Sequence, residues 1–141
     1  MKVIKIVIAA YLITSCNFDK IDDRDVIIVN RSNKSIHCII SSNDSIKTID
    51  HYNGFPNGNT LYSFKDIKPN TVSEPNDRPR AWSTLFNRSD GNKIRLFILE
   101  KDLIDKYGWE KVLEKNIYSR KYKLSVEGLD SIKWRIEYMS R

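Results

Sequence analysis

The segment that ends at Cys16 decides which part of this chain is available to fold. Two lysines lie near its start, an apolar run extends to Leu12, and the small residue Ser15 stands immediately before Cys16. A charged start, an apolar middle and a small residue at the end are typical of a secretory signal peptide. The run is too short to cross a hydrocarbon core of about 30 Å, which needs about 20 apolar residues. We therefore expect residues 1–15 to be removed from the mature protein.

The residues 12–16, Leu-Ile-Thr-Ser-Cys, closely resemble the lipobox of bacterial lipoproteins. In that motif the cysteine sulfur receives a diacylglyceryl group, and the cysteine becomes the new N-terminus. The resemblance implies that Cys16 is the lipidation site. It also implies several acyl chains such as palmitate, because one chain alone holds a protein only marginally to a bilayer. We expect the membrane to be a partner through this anchor.

Removal of residues 1–15 from the 141-residue chain leaves the length of one ordinary domain. Residues 16–24 are polar and contain too few apolar groups to pack, so we expect a flexible tether followed by a single domain over residues 25–141. The tether holds three acidic residues, Asp19, Asp22 and Asp23. They resemble the export signal that sends some lipoproteins of gut-type Gram-negative bacteria to the outer face of the outer membrane. A tether that is merely solvated is the alternative.

Charge and cysteine content narrow the possible partners. The formal net charge of +6 is spread along the chain without long basic blocks, which argues against nucleic acid. If Cys16 carries lipid, Cys38 has no second cysteine to pair with. Strand alternation places Cys38 on the same face as Ile36 and Ile40, which favours a buried and unreactive thiol.

Runs of β-branched and aromatic residues separated by turn residues predict a mainly β domain. Strands are predicted over residues 25–31, 35–41, 60–67, 93–99, 117–124 and 133–139. The first two are expected to pair as a hairpin, and the apolar run over residues 93–99 is expected to be central. The spacing of the strands is too uneven for a parallel α/β sheet. The pattern indicates an antiparallel β-sandwich with short helical insertions, and the alternative is an α+β fold with one helix packed on an antiparallel sheet.

Short helices are predicted between these strands. Trp82 begins one anchoring turn, Asp102 is a candidate N-cap for a second helix that Gly108 ends, and Ser125 is a candidate N-cap for another. A helix is also predicted over residues 109–115. Trp109 and Trp134 fall on apolar stripes, so we expect both to pack in the core.

A longer set of residues, taken in order, carries a second resemblance. The set comprises residues 25–30, 67–70, Trp82, residues 96–99, Asp102, residues 109–110, residues 121–125, Leu129, Trp134, Ile136 and Tyr138. It resembles the recurrent pattern of a group of small uncharacterised lipoproteins from gut-type Gram-negative bacteria. Two positions depart from that pattern, since Glu100 replaces an aspartate and Met139 stands where the family often continues into proline. The family brings no established activity, so the resemblance implies no catalytic or ligand-binding residue.

The chain contains no recognisable catalytic motif. Its histidines are His37 and His51, and the sequence has no nucleophile elbow, phosphate-binding glycine loop or zinc-protease motif. Asp50 and His51 could bind a metal together with Asp44, but their spacing is not diagnostic and a solvated loop is favoured. We therefore predict that the protein is not an enzyme and that it has no metal and no other cofactor.

Aromatic residues in and near the loop over residues 42–59 are candidates for ligand contact. Tyr52, Phe55, Tyr62 and Trp82 could form a platform for a sugar ring, with asparagine amides at its edge. The alternative is that Tyr62 and Trp82 fill the core while Tyr52 and Phe55 anchor the loop. We retain Tyr52 and Phe55 as possible ligand contacts.

Basic residues in and after the loop over residues 69–80 form a second candidate. Arg78, Arg80, Arg88 and Lys93 could attract an anionic partner, although acidic residues lie among them and a dispersed, solvated set is favoured. We retain Arg78 and Arg80 as possible ligand contacts.

Together these features predict a non-catalytic protein of the outer membrane, anchored by lipid and acting as a binding or structural module of the cell envelope. Its partner is expected to be an envelope protein or a glycan. The alternative function is a surface module that recognises a glycan or a protein through the loops over residues 42–59 and 69–80. Both the cell surface and the periplasmic face remain open as locations.

Overall fold

The computed structural model describes residues 24–46, 62–73 and 82–140 of the chain. Seven strands and four short α-helices form within these ranges. In chain order they are β1 (Ile27–Asn30), β2 (Ile36–Ser41), β3 (Tyr62–Ile67), β4 (Val72–Ser73), α1 (Trp82–Asn87), β5 (Ile94–Glu100), α2 (Lys101–Tyr107), α3 (Trp109–Glu114), β6 (Arg120–Leu124), α4 (Val126–Ser131) and β7 (Arg135–Tyr138). The fold is an α+β mixture, and its four short helices lie where helical segments were predicted between the strands.

The strands form two sheets. Sheet A has the order β4-β1-β7, and sheet B has the order β3-β2-β5-β6. Every pair in sheet B is antiparallel, as predicted. In sheet A, β1 is antiparallel to β4 but parallel to β7, so the expectation of a wholly antiparallel arrangement is wrong at this pair. β1 and β7 lie at opposite ends of the domain sequence, and no tight turn between them imposes an antiparallel direction.

The predicted hairpin of the first two strands is also wrong, because β1 lies in sheet A and β2 in sheet B. The side chain of Asn30 stabilises the turn between them. Its amide donates hydrogen bonds to the carbonyls of Lys34, Ile67 and Lys68 at 2.7, 3.0 and 3.1 Å. Its carbonyl oxygen accepts from the backbone N–H and the hydroxyl of Ser32 at 3.0 and 2.7 Å. This network directs the chain out of sheet A instead of back along it.

β5 is an interior strand, paired with β2 on one side and β6 on the other, which confirms its predicted central position. Ile94, Leu96 and Ile98 point into one apolar cluster, and Phe97 and Leu99 point into another on the opposite face of sheet B. Burial of both faces explains why this stretch is almost continuously apolar and does not alternate.

The first apolar cluster joins residues of both sheets with α1 and α4. Its members include Ile28, Ile36, Cys38, Ile40, Trp82, Phe86, Leu129, Trp134 and Ile136. The rings of Trp82 and Trp134 meet edge to face, with their centroids 5.5 Å apart. Trp134 is 4% exposed, so its predicted place in the core is confirmed. The aromatic contacts connect α1 to the residue that precedes β7.

Helices α2 and α3 cover the other face of sheet B, where Ile104, Val112 and Leu113 are buried. Gly108 separates the two helices at a φ of 75°, a value that favours glycine, and so ends α2 as predicted. Trp109 is 36% exposed, so its predicted place in the core is wrong. It begins α3, and the buried side chains of that helix lie one turn later.

Two predicted boundaries need correction. Glu100, not Asp102, occupies the N-cap position of α2, and Asp102 lies in the first turn. β6 begins at Arg120, three residues later than expected. The residues before it turn back on α3, because Ile117 N–H donates to the Val112 carbonyl at 2.8 Å. Ser125 does cap α4, and its hydroxyl accepts from the Gly128 N–H at 3.1 Å.

Candidate functional site

A cleft of about 580 Å³ opens where the end of β5 and the start of β6 meet the end of β7. Its lining residues are Glu100, Leu103, Tyr118, Ser119, Arg120, Lys121 and Tyr138. In the part of the chain that the structure describes, β6 is paired only with β5 and β7 only with β1. Both strands therefore contribute edge positions to the cleft. The volume falls in the range of about 300–1,000 Å³ that is usual for small-ligand sites.

Glu100 connects three elements at this cleft. Its carboxylate accepts a hydrogen bond from the Tyr138 hydroxyl at 2.7 Å and another from Lys34 Nζ at 2.9 Å. Lys34 Nζ also lies 3.2 Å from the carboxylate of Asp102. Burial raises the pKa of Tyr138, and the hydrogen bond to Glu100 raises it further. The hydroxyl therefore stays protonated and acts as a donor. The hydrogen bond between Tyr138 and Glu100 joins sheet A to sheet B.

Arg120 lies over the ring of Tyr138. Its guanidinium carbon is 5.8 Å from the ring centroid, a cation–π distance. The residue is half-buried. Among the described residues no carboxylate forms an ion pair with its guanidinium, and no acceptor takes a hydrogen bond from it. Arg120 therefore places a guanidinium without an ion-pair partner among the described residues at the wall of the cleft.

Lys121 links the cleft to a buried arginine on the helix side of sheet B. Lys121 Nζ lies 3.1 Å from Asp44, and Arg95 Nε lies 3.2 Å from the same oxygen. Arg95 is 1% exposed, and its guanidinium also donates to the carbonyls of Ser42 and Lys93. These two cations, Arg95 foremost, lower the pKa of Asp44 to about 2. Asp44 is thus held, at the surface, as the shared ion-pair partner of Arg95 and Lys121.

A smaller cleft of about 380 Å³ lies where the described chain begins. Arg24 forms an ion pair with Asp130, and its guanidinium stacks 5.5 Å from the centre of the Trp134 ring. The indole N–H of Trp134 donates to Asp130 at 2.7 Å, and that of Trp82 donates to the Arg24 carbonyl at 2.7 Å. Both tryptophans therefore satisfy their polar N–H while they fix Arg24 to the domain.

His37 and Cys38 are neighbours on β2. His37 Nε2 lies 3.1 Å from a carboxylate oxygen of Asp66, and the imidazole meets the Trp109 ring edge to face at 5.3 Å. Cys38 is fully buried, as predicted, and burial raises the pKa of its thiol. Within residues 24–46, 62–73 and 82–140, no three His, Cys, Asp or Glu side chains lie close enough together to hold a metal ion.

Most of the residues proposed from the sequence as site residues lie outside the described ranges. These are Cys16, Tyr52, Phe55, Arg78 and Arg80, together with Asp50 and His51. Trp82 is described and is fully buried, so it fills the core and does not belong to an exposed platform. Arg88 and Lys93 are exposed. Neither of the two clefts described above is lined by Trp82, Arg88 or Lys93.

The cleft that contains Arg120 was not predicted from the sequence. Glu100 and Tyr138 are 38 residues apart with Arg120 between them, and each of the three belongs to a different strand. The only local signal is the alternation of Tyr122 and Leu124 with charged neighbours, which marks an edge strand and not a site. The three residues meet because β6 pairs with β5 so that Arg120 lies opposite Ile98.

Comparison of the chain with protein-family models, with curated proteins and with solved structures finds no match. Within the described residues, no helix is both long and apolar enough to cross a membrane.

Proposed function

We propose that this protein is a lipid-anchored protein of the outer membrane and acts as a non-catalytic binding or structural module of the cell envelope. The charged and apolar N-terminal segment that ends at Cys16 supports this proposal. So does the resemblance of the chain to small lipoproteins of gut-type Gram-negative bacteria.

The observation that carries the proposal is the fixed position of Arg24 beside Trp82, Trp134 and Asp130. Only residues 17–23 stand between this contact and Cys16. Seven residues reach at most about 25 Å when fully extended. A lipid on Cys16 would therefore keep the Arg24 side of the domain close to the membrane surface, as an anchored module requires.

Two features favour a non-catalytic role. A cysteine nucleophile needs an accessible thiolate, whereas Cys38 is buried and its pKa is raised. Among the described residues, His37 contacts a carboxylate of Asp66 and the ring of Trp109, and neither group is a nucleophile of the kind that a histidine base activates.

We further propose that the two sheets face each other as the layers of a β-sandwich. Support comes from the first apolar cluster, which contains Ile28 and Ile136 of sheet A as well as Ile40 and Leu96 of sheet B. Two sheets that bury their inner faces against each other share a core of this kind.

The second candidate function is recognition of a surface glycan or protein through the loops over residues 42–59 and 69–80. One observation favours the first of these loops. Asp44, near its start, contacts Lys121, which also lines the 580 Å³ cleft. The described beginning of the loop is therefore adjacent to a concave and polar surface.

Metabolic labelling with a fatty acid tests the proposed anchor. Native protein and Cys38→Ala are expected to incorporate the label, because Cys38 is the matched second cysteine and is buried. Cys16→Ala is expected to incorporate none and to retain residues 1–15. Labelled Cys16→Ala would overturn the proposal.

A further inference from the structure

We propose that the 580 Å³ cleft binds an acidic sugar, a hydroxylated ring whose carboxylate pairs with Arg120. The inference deepens the proposed binding role and rests on it. It names the chemical class of ligand and a site that differs from the loops considered above.

Arg120 presents a positive charge that can pair with a ligand anion. A guanidinium that is partly withdrawn from water is costly unless an anion compensates it. The described part of the chain supplies Arg120 with a cation–π contact to Tyr138 but with no carboxylate. A ligand carboxylate would supply the missing anion, and its two oxygens match the planar fork of the guanidinium.

The other charged groups of the cleft already have partners. Glu100 accepts from Tyr138 and from Lys34, whose ammonium group it shares with the carboxylate of Asp102. Lys121 is paired with Asp44 at 3.1 Å. Arg95 shares that carboxylate with Lys121, whereas Arg120 is the lining cation that forms an ion pair with no carboxylate of the described residues.

The remaining lining favours a hydroxylated ring over a hydrocarbon. The hydroxyl oxygen of Ser119 accepts from the Glu100 N–H at 3.0 Å, which leaves its hydrogen to donate, with no acceptor for it among the described residues. Tyr118 and Leu103 offer apolar surface beside these polar groups. Aromatic rings and nearby hydroxyl donors suit the C–H face and the hydroxyls of a sugar.

The test is an amide NMR titration of the full-length protein in detergent micelles with glucuronate. Glucose presents the same ring without the charge, and inorganic phosphate presents charge without the ring. Saturable shifts at Tyr118, Ser119 and Arg120 are expected with glucuronate, with affinity about tenfold or more above that for glucose. Equal affinity for phosphate, or no saturable shift with glucuronate, would overturn the inference. Binding of an aspartate-rich peptide without binding of glucuronate would overturn it too and indicate a protein partner.

Variants separate Arg120 from its neighbours. Arg120→Gln is expected to lower glucuronate affinity about tenfold or more, since a charge-assisted pair is lost. Arg120→Lys keeps the charge but loses the fork, so it is expected to bind more weakly than the native protein even if Arg120→Gln fails to fold. Lys123→Gln removes an exposed cation of the same strand outside the cleft and should leave the affinity unchanged.

Native affinity in Arg120→Lys and Arg120→Gln would contradict the assignment. Fatty-acid labelling at Cys16 tests the anchor independently of all these results.

Discussion

Tyr138 donates a hydrogen bond of 2.7 Å to the carboxylate of Glu100 and thereby connects the last strand of sheet A to the central strand of sheet B. Tyr138 is 3% exposed, and the Glu100 side chain is 15% exposed. A hydrogen bond to a charged acceptor in such a position contributes more than one at the surface, because the acceptor is not fully compensated by water when the donor is removed.

Tyr138→Phe is therefore expected to lower the free energy of unfolding by about 1–2 kcal/mol, measured by urea denaturation. Tyr122→Phe is the matched control. The Tyr122 ring packs against the same apolar cluster, and its hydroxyl bonds to none of the described residues. Tyr122→Phe should lower the free energy of unfolding by less than about 0.5 kcal/mol. Equal losses in the two variants would mean that the bond between Tyr138 and Glu100 does not stabilise the fold.

Trp134 is buried and Trp109 is partly exposed, so their removal should have different effects on stability. Trp134→Ala should lower the free energy of unfolding by about 3–5 kcal/mol, because a buried aromatic side chain leaves a large cavity. Trp109→Ala should cost about 1 kcal/mol, since that side chain is 36% exposed. Thermal or urea unfolding of both variants compares them directly. A Trp134→Ala variant as stable as the parent would contradict the described core.

Asp44 provides a prediction about pH. Its pKa is lowered from an ordinary value of 3.8 to about 2 in the folded protein. The folded state therefore gains stability from the ionised carboxylate above about pH 4, and this gain is lost as the pH falls towards 2. Because the Asp44 side chain is 57% exposed, solvent screening keeps the gain small.

The carboxyl carbon of Asp44 can be titrated by NMR to check this shift. A midpoint near 2 is expected in the native protein. Lys121→Gln should raise the midpoint only part of the way to the ordinary value, since the hydrogen bond from Arg95 is the larger cause. A native midpoint of 3.8 or above would show that the ion-pair cluster of Arg95, Asp44 and Lys121 does not form.

Replacement of the acidic residues of the tether distinguishes the two faces of the membrane on which the domain could lie. The export-signal hypothesis predicts that protease added to intact cells removes the native protein but spares a variant in which Asp19, Asp22 and Asp23 are alanine. Lys20→Ala is the control and should behave like the native protein. Protection of native and variant proteins alike, with both folded and bound to the membrane, would reject the hypothesis and locate the domain in the periplasm.

Local features of this fold were predictable from the sequence because neighbouring residues determine them. The continuous apolar run of β5, the Ser125 cap of α4 and the alternation of Ile136 and Tyr138 with charged residues are all present in the structure. Gly108 ends its helix for a reason that is equally local, since its φ is positive.

Contacts between distant segments were not predictable in the same way. The parallel pairing of β1 with β7 and the separation of β1 from β2 depend on the whole domain. Trp109 falls on an apolar stripe, yet it stands at the exposed start of α3. Sheet pairing brings Glu100, Arg120 and Tyr138 together at the cleft, so no short sequence motif predicts it.

The most direct test of the lipid anchor is mass spectrometry of the N-terminal peptide of protein purified from membranes. We expect a peptide that begins at Cys16, lacks residues 1–15 and carries the mass of a diacylglyceryl group with further acyl chains. A peptide that retains residues 1–15, or one with an unmodified Cys16, would contradict the proposal that this protein is a lipid-anchored envelope module.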